Sequence, residues 1–358
     1  MIRSLEIINP GMQTTVQDAG RIGFQRFGVS VSGAADRYSF QTGNRLIGNE
    51  ENAPAIEVAM GGLQVKFNGD STFALTGADC FAELDGIRVG TNLTYEARDG
   101  SILTFGFAQQ ALRAYLCIAG GIDVTQTLDS ASTHVASEIG GHEGRALTAG
   151  DIVPLGNSES AVAPGSTDVN YEIPAALGSV AVRAVLGPQD DQFSEEGIKT
   201  FFGSKYVVTD QSNRQGVRLD GAEIESKDGR YDIVSDAVMN GSVQIPGDGK
   251  PIVLLADRQT TGGYAKIATV ISIDLPKLGQ LRPGDELSFE QITVEDAQRL
   301  VRDHAASEPS QVAQAVEPEL FTVNGAHHHV GVAHNNGARL VSVDGTIYPV
   351  DWVDIDPK

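Results

Sequence analysis

Apolar and polar side chains alternate along this chain with a period of two, in short runs that stop at turn residues. Leu63-Gln64-Val65-Lys66-Phe67 runs into Asn68-Gly69-Asp70, Thr72-Phe73-Ala74-Leu75 precedes Gly77, and Ser101-Ile102-Leu103-Thr104-Phe105 follows Asp99-Gly100. Successive side chains of a strand point to opposite faces, so each run buries one face, and the series predicts a β-barrel or sandwich. Helical spacing is scarcer. It predicts helices around 36–46, 194–202 and 294–306, the last with Thr293 placed to cap it. Pro251-Ile252-Val253-Leu254-Leu255-Ala256 is apolar throughout, as a strand covered on both faces is. It leads directly into the polar run Asp257-Arg258-Gln259-Thr260-Thr261-Gly262-Gly263-Tyr264, then Lys266 and another apolar strand. Beyond 320 the alternation resumes between Asn324-Gly325 and Asp344-Gly345, which predicts two or three more strands.

A faint internal echo divides the chain. Leu147-Thr148-Ala149-Gly150-Asp151-Ile152-Val153 and Leu281-Arg282-Pro283-Gly284-Asp285-Glu286-Leu287 both set Gly-Asp before an apolar strand, as two similar halves or two independent turns would. Small and turn-forming residues dominate 157–170, and Pro, Gln and Ala dominate 307–317. The expected division is a first subdomain at 1–170, a second at 171–306, and a linker with a β tail at 307–358.

Composition narrows the partners. With 47 acidic against 26 basic side chains the formal charge is −21, which repels a phosphate backbone or an anionic membrane, so neither nucleic acid nor membrane is expected. A few local arginines still suffice to bind a small anion. The 41 glycines fit a fold rich in tight turns. Cys80 and Cys117 sit in apolar stretches and read as buried free thiols. The opening Met1-Ile2-Arg3-Ser4-Leu5-Glu6 lacks a long apolar leader segment, and no apolar run reaches the about 20 residues of a membrane span, so a cytoplasmic location is expected.

The chemistry concentrates in polar clusters. No phosphate-loop or dinucleotide fingerprint is present, and Gly28-Val29-Ser30-Val31-Ser32-Gly33 does not fit a nucleophile elbow. His327, His328, His329 and His334 do not read as a metal site, because neighbouring residues on a strand face opposite ways. In the 257–264 run, Arg258 offers a fork for carboxylate or phosphate, and the paired glycines offer backbone N–H groups to an anion. Asp257 is placed to move a proton or orient Arg258. A Gly-Gly hairpin with a structural Asp-Arg pair explains the same residues. Thr14-Thr15-Val16-Gln17-Asp18-Ala19-Gly20-Arg21-Ile22-Gly23, with Ser32-Gly33-Ala34-Ala35-Asp36, supplies donors and acceptors for an amide, or for its own backbone. Ser212-Asn213-Arg214-Gln215-Gly216-Val217-Arg218 adds two cations.

In order, Thr15-Val16-Gln17-Asp18, Gly20-Arg21, Gly23, Ser32-Gly33-Ala34, Asp36, Asn44, Gly48-Asn49 and Glu57 resemble the opening of the allophanate hydrolase subunit 2 family, also called the biotin-dependent carboxyltransferase-like or KipA family. The likeness continues through Leu75-Thr76-Gly77-Ala78, Ala119-Gly120-Gly121-Ile122, Gly187-Pro188-Gln189-Asp190, Arg214 with Gly216, Gln244-Ile245-Pro246, and 257–264 with Ile267-Ala268. It implies two cyclophilin-like β-barrel subdomains, and a chain more similar to the C-type component of 5-oxoprolinase than to the carboxyltransferase half of urea carboxylase. The implied activity is ATP-dependent opening of a lactam or amide in complex with a B-type subunit (allophanate hydrolase subunit 1 or KipI-like), with ATP bound together with that partner. Residue chemistry then makes Asp257, Arg258 and Asp18 the candidate catalytic groups. Gln17, Arg21, Arg214, Gln244, Gln259, Thr260, Thr261, Gly262, Gly263, Tyr264 and Lys266 are the candidate substrate-binding groups. Two alternatives stand beside it: carboxyl transfer using biotin on a separate carrier, and a non-catalytic regulator of a kinase-inhibitor partner. One departure is evident: where the family reads L-G-S-R-S-T, this chain has Leu128-Asp129-Ser130-Ala131-Ser132-Thr133.

Overall fold

The computed structural model describes residues 3–158, 164–168, 171–173 and 178–306 in full, and the backbone of strand segments between 312 and 349. The fold is mainly β, as the alternation predicts. The first half wraps one core between two sheets. In the six-stranded sheet Ile152–Pro154, Ser4–Pro10, Leu63–Asn68, Ile102–Thr104, Glu83–Leu84 and Ile87–Arg88 lie side by side. The five-stranded sheet runs Gln13–Gln17, Ala55–Ala59, Arg113–Ile118, Ser71–Gly77, Leu93–Ala97. Leu5, Val65 and Leu103 from the first sheet meet Val16, Ile56, Phe73 and Leu116 from the second, all fully or almost fully removed from water. Arg113–Ile118 is buried at every position, whereas Leu63–Asn68 buries alternate residues, as central and half-covered strands respectively should.

The second half closes into a seven-stranded barrel in the order Ser179–Leu186, Lys266–Val270, Ser242–Gln244, Ile252–Leu254, Gly216–Asp220, Lys205–Val208, Glu286–Gln291. Its closing pair, Ser179–Leu186 with Glu286–Gln291, is parallel. Val182, Val217, Val243, Val253, Ile267 and Leu287 fill this second core. Asp232–Ala237 and Thr261–Tyr264 pair outside the barrel as a separate two-stranded ribbon. A four-stranded antiparallel sheet spans Glu319–Val323, Ala326–Asn335, Ala338–Val343 and Thr346–Pro349. The expected linkers at 157–170 and 307–317 fall largely outside the described residues, and so do the side chains of the histidine run.

Helices are few. α1 (Arg37–Leu46) is capped by Asp36, whose carboxylate accepts from the Ser39 N–H at 3.0 Å. It packs Phe40 and Leu46 against Ala74, Tyr115 and Cys117 on the five-stranded sheet. Gly43 is required at this contact, because a Cβ there would stand 2.6 Å from Cys117 Sγ and 2.9 Å from Thr76 Oγ1. α2 (Glu195–Gly203) is capped by Ser194, and α3 (Leu275–Gly279) and α4 (Val294–Ala306) follow the barrel. None of these helices is long and apolar enough to cross a membrane.

The Gly-Asp echo is a turn built twice. Gly150 and Gly284 take φ of +91° and +92°, and the Asp that follows accepts from a backbone N–H three residues earlier, Thr148 or Arg282, at 2.8 Å in both. One copy enters Ile152–Pro154 and the other Glu286–Gln291.

Candidate functional site

Strand Ile252–Leu254 ends the apolar run, and the chain turns through 256–258, where the Arg258 N–H reaches the Leu255 carbonyl at 3.2 Å. The first half clamps this turn. Ser32 N–H donates to the Ala256 carbonyl at 3.0 Å, and Ser30 Oγ donates to the Arg258 carbonyl at 2.9 Å. The side chains of Asp257 and Arg258 then part company.

Asp257 turns to Arg214, accepting from Nε at 2.8 Å and from Nη2 at 3.0 Å. Arg214 also donates to Glu57 Oε1, and its Nη2 reaches the Gly33 carbonyl at 2.6 Å. Glu57 in turn accepts from Tyr115 Oη at 2.8 Å and from the Ala35 N–H at 2.9 Å, with Arg113 Nε 3.4 Å from its other oxygen. Burial opposes charge on both partners, but the facing charges outweigh it: Arg214 is held above its ordinary range by Asp257 and Glu57, and Glu57 below its own by Arg214 and Arg113. A second strut lies at Gln280, which follows α3. Its Oε1 accepts from the N–H groups of Leu112 (3.0 Å) and Arg113 (2.7 Å), while its Nε2 donates to Asp36 Oδ2 (2.7 Å) and to the Arg113 carbonyl (2.9 Å). All four of its bonds cross between the halves. Asp36 is pushed up to about 6 by burial, against the opposing pull of the hydrogen bonds from Gln280 and Ser39.

Arg258 points the other way, into a groove of about 780 Å3 between the two halves. The guanidinium is buried without a carboxylate partner among the described residues: Nη1 reaches only the Leu255 carbonyl at 3.2 Å and Nε has no acceptor. Burial lowers its hold on the proton. Ser32 Oγ and Asn240 Oδ1, which line the same groove, are likewise buried and unsatisfied. Ser32 takes φ +56°, a left-handed conformation uncommon for a serine. Three unfilled polar positions amid the apolar surfaces of Val31, Val270 and Leu275 are the arrangement a bound polar ligand would complete.

The remaining sequence candidates divide. Asp18 accepts from Gly20 N–H (2.8 Å), Ser130 Oγ (2.8 Å), Ala131 N–H (2.6 Å) and Ser132 Oγ, so its oxygens are occupied. Gln17 donates to Thr15 Oγ1 at 3.0 Å and to the Thr133 carbonyl at 3.1 Å. Arg21 donates to the carbonyls of Thr127 (3.0 Å) and Ser132 (2.6 Å). Its charge is weakened by burial and supported by Asp18 and Asp257, which brings those three predicted residues into one electrostatic neighbourhood. Lys266 ion-pairs with Asp236 at 2.9 Å, and Gln244 reaches the Tyr264 carbonyl at 3.3 Å, on the ribbon side of the barrel and outside the groove lining. Gln259, Thr261 and Tyr264 are exposed and Thr260 half-buried. Gly262 and Gly263 belong to strand Thr261–Tyr264 rather than to a hairpin turn, and Gly262 is closed over by the Gln244 amide. Ala131, where the family pattern has arginine, is fully buried, and Leu128 and Asp129 before it both take left-handed φ, +54° and +58°.

Sequence alone assigns no role to Arg113, Tyr115 and Gln280, nor to Asn240, Arg37 and Arg302 in the groove lining. Glu57, Ser32 and Asp36 stand in the ordered family series, though without a stated part in the chemistry. The others carry no local signal: Arg113 and Gln280 are tied to each other across the halves, Tyr115 is tied to Glu57 from a distant strand, and Asn240, Arg37 and Arg302 count only because the groove brings them together.

Comparison with known proteins agrees with this architecture. The carboxyltransferase domain, subdomain A and B, matches residues 27–291. The chain is 40% identical to the C-type component of 5-oxoprolinase from Escherichia coli (strain K12) over 301 residues, 84% of this chain and 94% of that protein. Urea amidolyase of Saccharomyces cerevisiae is 35% identical over 83% of this chain but only 17% of its own length. The crystal structure of Kluyveromyces lactis urea carboxylase superposes with a TM-score of 0.79 at 28% identity, covering 95% of this chain and 33% of that one. The chain thus spans nearly all of the first relative and a third or less of the other two. The resemblance carried by the ordered motifs is borne out, and the chain belongs to the carboxyltransferase-domain family spanning subdomains A and B.

Proposed function

We propose that this chain is the C-type component of an ATP-dependent 5-oxoprolinase, acting with a B-type partner to open 5-oxoproline to glutamate. The observation that carries this reading is the nearly end-to-end match with the Escherichia coli 5-oxoprolinase component, against a small fraction of each urea enzyme. The geometry supplies a fitting site: Arg258 is a buried, uncompensated cation suited to the substrate carboxylate, and Ser32 and Asn240 offer hydrogen bonds to a ring amide. In this reading ATP, held with the partner subunit, would transfer its γ-phosphoryl group to the lactam oxygen and leave as ADP; water then attacks the ring carbon, the C–N bond breaks to free the amine, and a second water releases phosphate to leave glutamate. Asp257 and Arg214 serve in this account as positioning residues that fix the turn carrying Arg258, since their charges are spent on one another and on Glu57. Reconstitution with the partner subunits and measurement of ATP hydrolysis dependent on 5-oxoproline tests the reading.

A second reading is carboxyl transfer from biotin on a separate carrier protein. The structural match to urea carboxylase supports it, with a TM-score of 0.79 over 95% of the chain. Urea-dependent decarboxylation of a carboxybiotinyl carrier, with no response to 5-oxoproline, would select this alternative.

A further inference from the structure

The charge of the groove is the reverse of the charge of the chain. The protein carries 47 acidic and 26 basic side chains, yet no Asp or Glu lines the groove among the described residues, whereas Arg37, Arg258 and Arg302 do. Arg258 is buried inside; Arg37, the first residue of α1, and Arg302, in the later turns of α4, are exposed. No described carboxylate pairs with either of these two. α4 contributes Val294, Ala297 and Val301 to the same wall, and none of its 13 residues is buried. Its apolar stripe, spaced three and four apart, faces unfilled space rather than a core. The volume, about 780 Å3, lies in the range of roughly 300–1,000 Å3 that encloses drug-sized ligands, and far exceeds what a five-membered ring with one carboxylate fills.

We propose that the groove binds a phosphate-bearing ligand, with Arg37 and Arg302 holding the phosphate at the rim and Arg258 holding a second polar or anionic group within. The proposal rests on the oxoprolinase reading for its chemistry, in which phosphate is carried either by a nucleotide or by the phosphorylated lactam. Arginine at two rim positions suits phosphate because each fork places two N–H donors against its oxygens, and a wall without carboxylates spares the ligand like-charge repulsion.

The test is calorimetric titration of the full chain, without partners or turnover, using inorganic pyrophosphate at low salt. Saturable binding is expected, weakened about five- to tenfold by Arg302→Ala and by Arg37→Ala, with the thermal melt unchanged because both side chains are exposed and make no described ion pair. A non-hydrolysable ATP analogue binding about tenfold or more tighter than pyrophosphate identifies a nucleotide, whose base would lie on the α4 stripe. Equal affinity shows that the groove holds the phosphates without a base, as a smaller phosphate carrier requires. Absence of saturable pyrophosphate binding, or binding unaltered in the Arg37→Ala/Arg302→Ala double variant, would overturn the proposal. Because the titration needs no reaction, a complex lacking 5-oxoproline-dependent ATP hydrolysis but retaining pyrophosphate binding would refute the oxoprolinase reading and leave the site standing.

Discussion

Arg214 and Asp257, 43 positions apart, meet in a two-pronged ion pair at 2.8 and 3.0 Å, and the same guanidinium reaches Glu57 in the other half. Three charges removed from water are tolerable only while each satisfies the others. Arg214→Met removes the cation, stranding Asp257 and leaving Glu57 with Arg113 as its one facing charge. A loss of about 3–5 kcal/mol is expected, read as a lower midpoint of denaturant unfolding. An unchanged midpoint would show that the Arg214 guanidinium does not hold the halves together.

Asp36 supplies a pH dependence of definite sign. Its folded pKa, about 6, lies above the ordinary value near 4, so the folded protein binds this proton more tightly than the unfolded chain does. The contribution is therefore fully present below pH about 4 and is lost as the pH rises to about 6. Glu57, with its pKa lowered, acts in the opposite sense at more acid pH. Stability measured across this window in the native chain and in Asp36→Asn should differ in slope, the variant lacking the decline. Parallel curves would place the titration elsewhere.

Asp129 occupies a left-handed conformation directly after another left-handed residue, Leu128. Its side chain is exposed, and the family pattern has glycine there. Asp129→Gly relieves the backbone penalty and is expected to raise stability by about 0.5 kcal/mol, after the added freedom of the unfolded chain is subtracted. Asp129→Ala is expected to lower it. The reverse order would mean that the carboxylate makes a compensating contact.

Both cysteines are buried free thiols. Burial pushes Cys80 up to about 12 and Cys117 higher still, so almost no thiolate exists at neutral pH. A disulfide reagent should label neither in the native protein and both after unfolding. Fast native labelling of Cys117 would require the α1 contact around Gly43 to open readily.

Much of the fold was legible because it is local. Period-two alternation found the strand Leu63–Asn68 but for its last residue, and helical spacing, with Thr293 as a cap, placed the starts of three helices within a residue. The parallel closure of Ser179–Leu186 on Glu286–Gln291 was not legible, since the strands lie about a hundred positions apart and register depends on the closed barrel. The paired glycines misled for a related reason: Gly262 is small to admit the Gln244 amide, a packing demand that sequence alone does not distinguish from a turn. Within the candidate site, Arg258 was legible from its polar run. The separate fate of Asp257 next to it was not, because Glu57 and Arg214 come from distant segments.

Arg258 serves the ligand rather than the fold, and Arg258→Met separates the two roles. An uncompensated buried cation weakens the folded state, so its replacement by an apolar side chain of similar length should leave the unfolding midpoint unchanged or raised. In the reconstituted complex the same variant should raise the KM for 5-oxoproline at least tenfold, or abolish 5-oxoproline-dependent ATP hydrolysis. Wild-type kinetics from a folded Arg258→Met complex, or a marked loss of stability without the kinetic change, would show that Arg258 serves the fold instead.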